Sequence, residues 1–214
     1  MTAPQDPRVN YKPLRALTLE AWRAAGMAGA KRKLRYVDEA LSLRCTTDLL
    51  TAGLFPSTAA MKEITESFAA FNAARNHVQW TDPRDEKTTV VVVGDGGTPR
   101  TAALFALRSR WSCFSVDPAL AARRYEIQRL SLCPYLAEDV RLGVKGDVVL
   151  VAVHSHASFE AALSTVPLAS RVAYVCIPCC VAKALAPFRP DEVYEDEGIL
   201  SPDRRVYVWN DVRR

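Results

Sequence analysis

The sequence predicts an α/β protein: a doubly wound, mostly parallel sheet of about seven strands, closed by a C-terminal antiparallel hairpin and preceded by an N-terminal helical segment. Three observations carry this expectation. From Thr88 onward, short apolar runs alternate with helical stretches, and strands alternating with helices imply a parallel sheet covered on both sides. The run Val90 to Val93 has no polar alternation, the mark of a strand buried on both faces. After Pro190 the alternation stops, and two strand-like runs, around Val193 and at Val206 to Trp209, are joined by a turn-rich loop without a helix.

Three zones precede and contain these elements. The 214 residues carry 49% hydrophobic side chains, enough for one well-filled core. Residues 1–35 form a basic arm with eight Lys or Arg against two acidic residues, although the whole chain has a net charge of only +4. Within it, Leu14 to Ala30 has the composition of a short helix, and Lys31, Arg32, Lys33 and Arg35 concentrate the charge. Such a cluster attracts a phosphate backbone such as RNA, or an acidic partner protein. Residues 36–87 read as a helical segment packing on the core. Met61, Ile64, Phe68 and Phe71 recur at steps of three and four, and Ser57 or Thr58 is placed to cap the start of their helix. Residues 88–214 form the α/β core.

In that core the expected strands are Val90–Val93, Cys113–Val116, Leu130–Cys133, Val148–Val153 and Val172–Ile177. The expected helices are Arg100–Arg110, Ala119–Gln128, Phe159–Leu163 and Val181–Pro187. Alternation in the last strand puts Val206 and Val208 on one face and Tyr207 and Trp209 on the other, the rings of an edge strand packed beneath a helix. No apolar run approaches the roughly 18 residues of a membrane span, and MTAPQDPRVNYKP is too polar for a signal peptide. The expectation is an intracellular, cytoplasmic protein without a membrane partner. Six cysteines, mostly within apolar segments, read as reduced thiols.

The turn Gly94-Asp95-Gly96-Gly97-Thr98 follows the first buried strand and opens a helix, the place where a doubly wound sheet receives a nucleotide-like ligand. Glycines there allow close backbone approach, and the helix N-terminus offers N–H groups. The turn lacks the Lys-Ser/Thr of a P-loop and the spacing G-x-G-x-x-G of dinucleotide sites. Asp117, about twenty residues on, ends the next strand, where a carboxylate accepts hydrogen bonds from ribose hydroxyls.

The order of elements and the positions Val92, Gly94, Gly96 and Thr98 resemble the first motif, acidic-x-G-x-G-x-G, of the Rossmann-like S-adenosylmethionine-dependent methyltransferases. The leading carboxylate is absent unless Asp95 replaces it, and the third glycine is replaced. The resemblance implies S-adenosylmethionine as cofactor, held by residues 94–98 with Asp117 on the ribose and Glu138 or Asp139 near the adenine. A second echo lies in HSHASFEAAL at residues 154–163 and VCIPCC at residues 175–180, similar to a branch with a His-x-Cys element after the fourth strand and a Cys-Cys pair after the fifth. That branch includes tRNA-modifying members.

Methyl transfer from a sulfonium is an in-line displacement, so the protein aligns donor and acceptor and takes up a proton. His154, at the carboxyl end of the fourth strand, is the candidate base. The Lys-Asp-Lys-Glu set of many ribose 2′-O-methyltransferases is not evident. Together His154, His156, Cys179 and Cys180 offer metal-ligand chemistry, but adjacent cysteines rarely aim both sulfurs at one tetrahedral ion, so no metal is assigned. Cys179 as a nucleophile at a helix start lacks a base adjacent in sequence. A catalytically silent binding or scaffold subunit on the same fold, motivated by the altered glycine motif, is the alternative to the enzyme.

Overall fold

A computed structural model of the protein describes residues 34–55, 60–121, 125–144, 146–168, 170–179 and 182–213. The expected Leu14–Ala30 helix, Lys31, Arg32, Lys33, the Ser57 or Thr58 cap and Cys180 lie outside these residues. The helical zone resolves into α1 (Arg35–Ser42), α2 (Thr46–Thr51) and α3 (Ala60–His77). There follow β1 (Thr89–Val93), α4 (Arg100–Arg108), β2 (Ser112–Val116), β3 (Leu130–Cys133), β4 (Val148–Val153), α5 (Phe159–Ser164), β5 (Val172–Ile177), β6 (Glu192–Glu195) and β7 (Arg205–Trp209). The sheet order is β3-β2-β1-β4-β5-β7-β6. Strands β1 to β5 are parallel, and β7 runs antiparallel to both β5 and β6.

Alternate residues of the central strands feed two cores, as the period of two demands. Val90, Val92, Val149, Val151, Val175 and Val208 face α1, α3 and α4. Val91, Leu150, Tyr174, Cys176 and Trp209 face the side of α5. The first side is the thicker. There Phe71 meets Phe105 edge-on at 5.2 Å and Trp111 at 6.1 Å, and each fully buried ring stabilises the fold by roughly 2–3 kcal/mol.

Three sequence expectations change. Residues 119–121 and 125–128 form no helix, although Ala, Arg and Glu favour one. Tyr125 and Ile127 both pack against the first core, and that spacing of two belongs to extended backbone. Within the Val181–Pro187 region the described residues hold only a 3-10 turn at Ala182–Ala184. Strand β7 lies between β5 and β6 rather than at the edge; Trp209 stacks on the sheet's own Tyr174 at 5.4 Å, and Tyr207 stacks on Trp209 at 6.0 Å. Trp209 also donates to the Phe188 carbonyl at 3.0 Å.

Helix α3 departs from the simple amphipathic pattern as well. Met61 is exposed, whereas every residue from Ile64 to Ala74 is buried, Thr65, Glu66, Ser67 and Asn72 included. The helix is enclosed because it packs across β4, β5 and β7 on one side and against α1 and α4 on others.

Helix α1 is clamped to the β6–β7 loop. Tyr36 Oη donates to Asp196 Oδ2 at 2.5 Å, Arg35 pairs with Asp196 Oδ1 at 2.5 Å, and the Gly198 N–H donates to Oδ1 at 2.9 Å. Burial and the neighbouring Asp196 charge push the Tyr36 phenol well above its ordinary pKa, so it remains a donor. A Cβ at Gly198 would come within 2.8 Å of the Tyr36 ring, so the loop closes on α1 only with glycine there. Asp196→Ala leaves two buried donors without an acceptor and is expected to cost about 2 kcal/mol in a urea unfolding titration. A loss below about 0.5 kcal/mol, the range of ordinary surface changes, would show that the clamp contributes nothing.

Candidate functional site

Strand order reverses between β1 and β4, and in open α/β sheets the crevice beyond the carboxyl ends at such a point receives ligands. Three connections leave from there: the Gly94 turn after β1, Asp117 after β2, and His154 after β4. Gly94 and Gly96 have φ of +76° and +82°, conformations in which a side chain is strained. At Gly94 a Cβ would lie 2.7 Å from Ser155 Cβ and 3.0 Å from its Cα, so the turn lies directly on the β4 loop.

The acidic residues of this region divide their work. Asp95 is turned beneath the turn and is fully buried. It accepts the N–H groups of Thr101 at 3.0 Å and Ala102 at 3.1 Å and the Ser115 hydroxyl at 3.0 Å. It therefore caps α4, satisfying N–H groups that would otherwise be orphaned. Burial raises its pKa, and the donors from Ala102, Thr101 and Ser115 offset part of that. The N–H groups expected to greet a ligand at the helix start are thus already taken. Asp117 accepts Gly96 N–H on Oδ2 at 2.9 Å and Ala119 N–H on Oδ1 at 2.7 Å, which among the described residues leaves each oxygen a lone pair for a further donor. The Thr98 hydroxyl points away, donating to the Leu54 carbonyl at 2.9 Å.

Two adjoining compartments share Gly94, Asp117 and His156 as a common border. One, of about 330 Å³, is polar, with Lys62, Glu63 and Glu66 from α3, Arg100 from α4, and His154. The other, of about 300 Å³, has Val116, Pro118, Leu136, Ala157 and Ala161 as an apolar lining, with Glu138 at its margin. Of the residues expected to hold a cofactor, Gly94, Asp95, Gly96 and Asp117 border the cleft. Gly97, Thr98 and Asp139 line neither compartment, and Glu138, the other residue expected near the adenine, borders the apolar one.

His154 has φ +49°, a strained value for a residue with a side chain. Its N–H donates to the Ile177 carbonyl at 2.8 Å, which holds the backbone in place. Its Nε2 lies 2.8 Å from Glu66 Oε1, and the Cys179 thiol approaches its carbonyl at 3.9 Å. Burial lowers the His154 pKa, but the hydrogen-bonding and charge of Glu66 outweigh it, and the net direction is upward. Lys62 stands 3.5 Å from Glu66, and Arg100 stands 3.2 Å from Glu63.

Sequence reasoning missed Lys62, Glu63, Glu66 and Arg100. A signal existed in KEITESFAAF, where a glutamate sits one turn before an almost uniformly apolar helical stretch. Arg35, by contrast, was expected to meet nucleic acid, and it folds back on Asp196 and stacks over Tyr36 at 4.6 Å. Cys113 and Cys176 are buried, with thiols pushed up by burial, Cys176 to about 12, which leaves them unreactive. Cys45, Cys113, Cys133 and Cys176 are free thiols. Among the described residues no group of three or more His, Cys, Asp or Glu is arranged to hold a metal ion, and no helix is long and apolar enough to cross a membrane.

A mostly parallel sheet with its cleft at the switch point defines an α/β protein of Rossmann-like type. No protein-family model matches the chain, and no curated protein matches it. Among solved structures it is similar to a glutamate-to-glutamine variant of MtNAS in complex with S-adenosylmethionine, at 15% identity over 90% of this chain and 75% of that one, with a TM-score of 0.48. It is also similar to MtNAS in complex with MTA and tNA, at 13% identity over 90% of this chain and 74% of that one, with a TM-score of 0.46.

Proposed function

We propose that the chain binds S-adenosylmethionine across the two compartments and acts as an S-adenosylmethionine-dependent methyltransferase. The observation that carries this reading is Asp117, placed on the border of a polar and an apolar compartment with a lone pair open on each oxygen. A ligand with a zwitterionic end, a ribose diol and a flat apolar base matches that sequence of surfaces. Asp117 takes the diol, the Val116 and Leu136 side takes the base, and the charged wall takes the amino-acid end. Asp95 fills the helix N-terminus that a phosphate would need, which disfavours a dinucleotide. Bound there, the cofactor would supply an activated methyl group. His154, beside the polar compartment, would accept the proton of the acceptor group.

The acceptor reading rests on composition: the eight basic residues of 1–35 support RNA, or an acidic protein partner. The second reading, a silent binding subunit, is favoured by one observation, the use of Asp95 as a helix cap where the resembling motif would place a ligand-facing acid. Calorimetric titration with S-adenosylhomocysteine and with NAD tests the cofactor assignment against an enzyme that handles a dinucleotide on a similar sheet. Micromolar binding is expected, with NAD giving none; no heat at millimolar ligand would overturn the cofactor assignment.

A further inference from the structure

The polar compartment is built to receive a positive charge. Among the described residues, the buried side-chain atoms without an aligned hydrogen-bond partner are Glu63 Oε2, Glu66 Oε1 and His154 Nε2, and all three residues border this compartment. The charged and titratable groups around His154 are Lys62, Glu63 and Glu66 on α3, Arg100 on α4, Asp95 and Asp117 after β1 and β2, Cys179 after β5, and His156 in its own loop. With Asp95 taken up by its own donors, Glu63, Glu66 and Asp117 there face two permanent cations, Lys62 and Arg100. Glu66 is the most enclosed of the α3 charges, its side chain 6% exposed, whereas that of Lys62 is 44% exposed. Glu66 Oε1 has His154 Nε2 at 2.8 Å and Lys62 Nζ at 3.5 Å, and an ammonium, with three donors, is suited to the carboxylate's remaining lone pairs.

We propose that Glu66 binds the ammonium group of an amine ligand, and that His154 releases its proton to solvent as that ammonium docks. The proposal rests on the cleft being the ligand site. In the free protein His154 Nε2 lies 2.8 Å from Glu66 Oε1, a neighbour that favours the protonated imidazole. An ammonium docking at the same carboxylate adds to the positive charge of Lys62 there and repels a protonated His154. The N–H bond at Nε2 then breaks, its electron pair stays on nitrogen, and water takes the proton. The imidazole left behind is neutral and beside the amine. It can take one proton from the ammonium, freeing the nitrogen lone pair to form a new bond. Recognition of the amine thereby creates the base that activates it. The ammonium has two sources, the amino-acid end of the cofactor or the amine of an acceptor.

The chain has only three histidines, His77, His154 and His156, so their titrations separate by proton NMR. S-adenosylhomocysteine, and then spermidine added to the saturated sample, are the probes. The His154 midpoint is expected to fall by about one pH unit on docking of an ammonium. Calorimetry in buffers of different ionisation enthalpy should show up to about one proton released per ligand at the pH where His154 begins charged. A fall with S-adenosylhomocysteine alone assigns the ammonium to the cofactor; a fall only with spermidine assigns it to an acceptor. Glu66→Gln should lower the midpoint of the free protein and abolish the ligand-linked fall, whereas Glu195→Gln on the exposed hairpin should preserve it. Binding of S-adenosylhomocysteine with an unmoved His154 under both probes overturns the inference and leaves the cofactor reading intact. A fall with spermidine in a protein that does not bind S-adenosylhomocysteine does the reverse. The unsubstituted protein alone decides these outcomes, whether or not the variants fold.

Discussion

Asp117→Ala is expected to weaken S-adenosylhomocysteine binding by about a hundredfold or more, with little change in thermal stability. Two hydrogen bonds from ribose hydroxyls to a carboxylate contribute about 1.5 kcal/mol each, and their loss of about 3 kcal/mol corresponds to that factor. Asp117 also accepts the N–H groups of Gly96 and Ala119, but neither residue is buried, and water can replace the carboxylate at both. The fold therefore tolerates the change while the ligand does not. Asp117→Asn should fall between the two, because the amide retains one oxygen acceptor but offers an N–H toward one of the donors. Calorimetry and a melting curve on the same samples check both halves. Unchanged affinity in Asp117→Ala would remove the diol assignment and with it the orientation of the ligand.

Gly94→Ala should damage the protein more than a loop substitution usually does, by about 3–4 kcal/mol. A residue with a Cβ at φ +76° costs about 1–2 kcal/mol, and forcing a methyl into contact with Ser155 adds about 1–3 kcal/mol. The neighbour cannot step aside, because the contact reaches its Cα, which is held between β4 and α5. Gly97→Ala provides the control, since its Cβ would meet nothing closer than the Ala119 carbonyl at 3.4 Å. Denaturant unfolding should place the two variants well apart. Equal stabilities would mean that the close approach of the β1 turn to the β4 loop is not a constraint on the native state.

How far the sequence could be read depended on the range of the interactions involved. Val90–Val93, Val148–Val153 and Val172–Ile177 were legible because a strand buried on both faces writes a local apolar run, and the structure has these strands at the same places, extending the first to Thr89. The closing hairpin was legible from the missing helix after Pro190. Ala119–Gln128 misled because helix propensity is local, while Tyr125 and Ile127 are drawn into the core by distant partners. At the site, Gly94, Asp117 and His154 each end a strand and could be placed by counting. Asp95 could not be distinguished from a ligand-facing acid, since only the direction of its side chain decides. Glu66 was invisible for a different reason: a glutamate on a helix ordinarily marks the wet face, and only the packing of α3 across the sheet turns it inward.

The position of α3 also has a consequence for biosynthesis. Its charged wall is encoded early, at residues 62–66, yet the helix rests on β7, and its neighbour α1 is fastened by Asp196. A nascent chain that has delivered the Gly94 turn, Asp117 and His154 still lacks the last of the three strands on which α3 packs, and the Asp196 that fastens α1. Closing such distant segments is slow compared with forming local helices. During translation β4 and β5 can already seat α3, and the charged wall is fully fastened only once β7 has inserted between β5 and β6 and Asp196 has reached α1. A ribosome-stalled fragment ending before that strand would therefore present the pocket with its charged wall incompletely fastened.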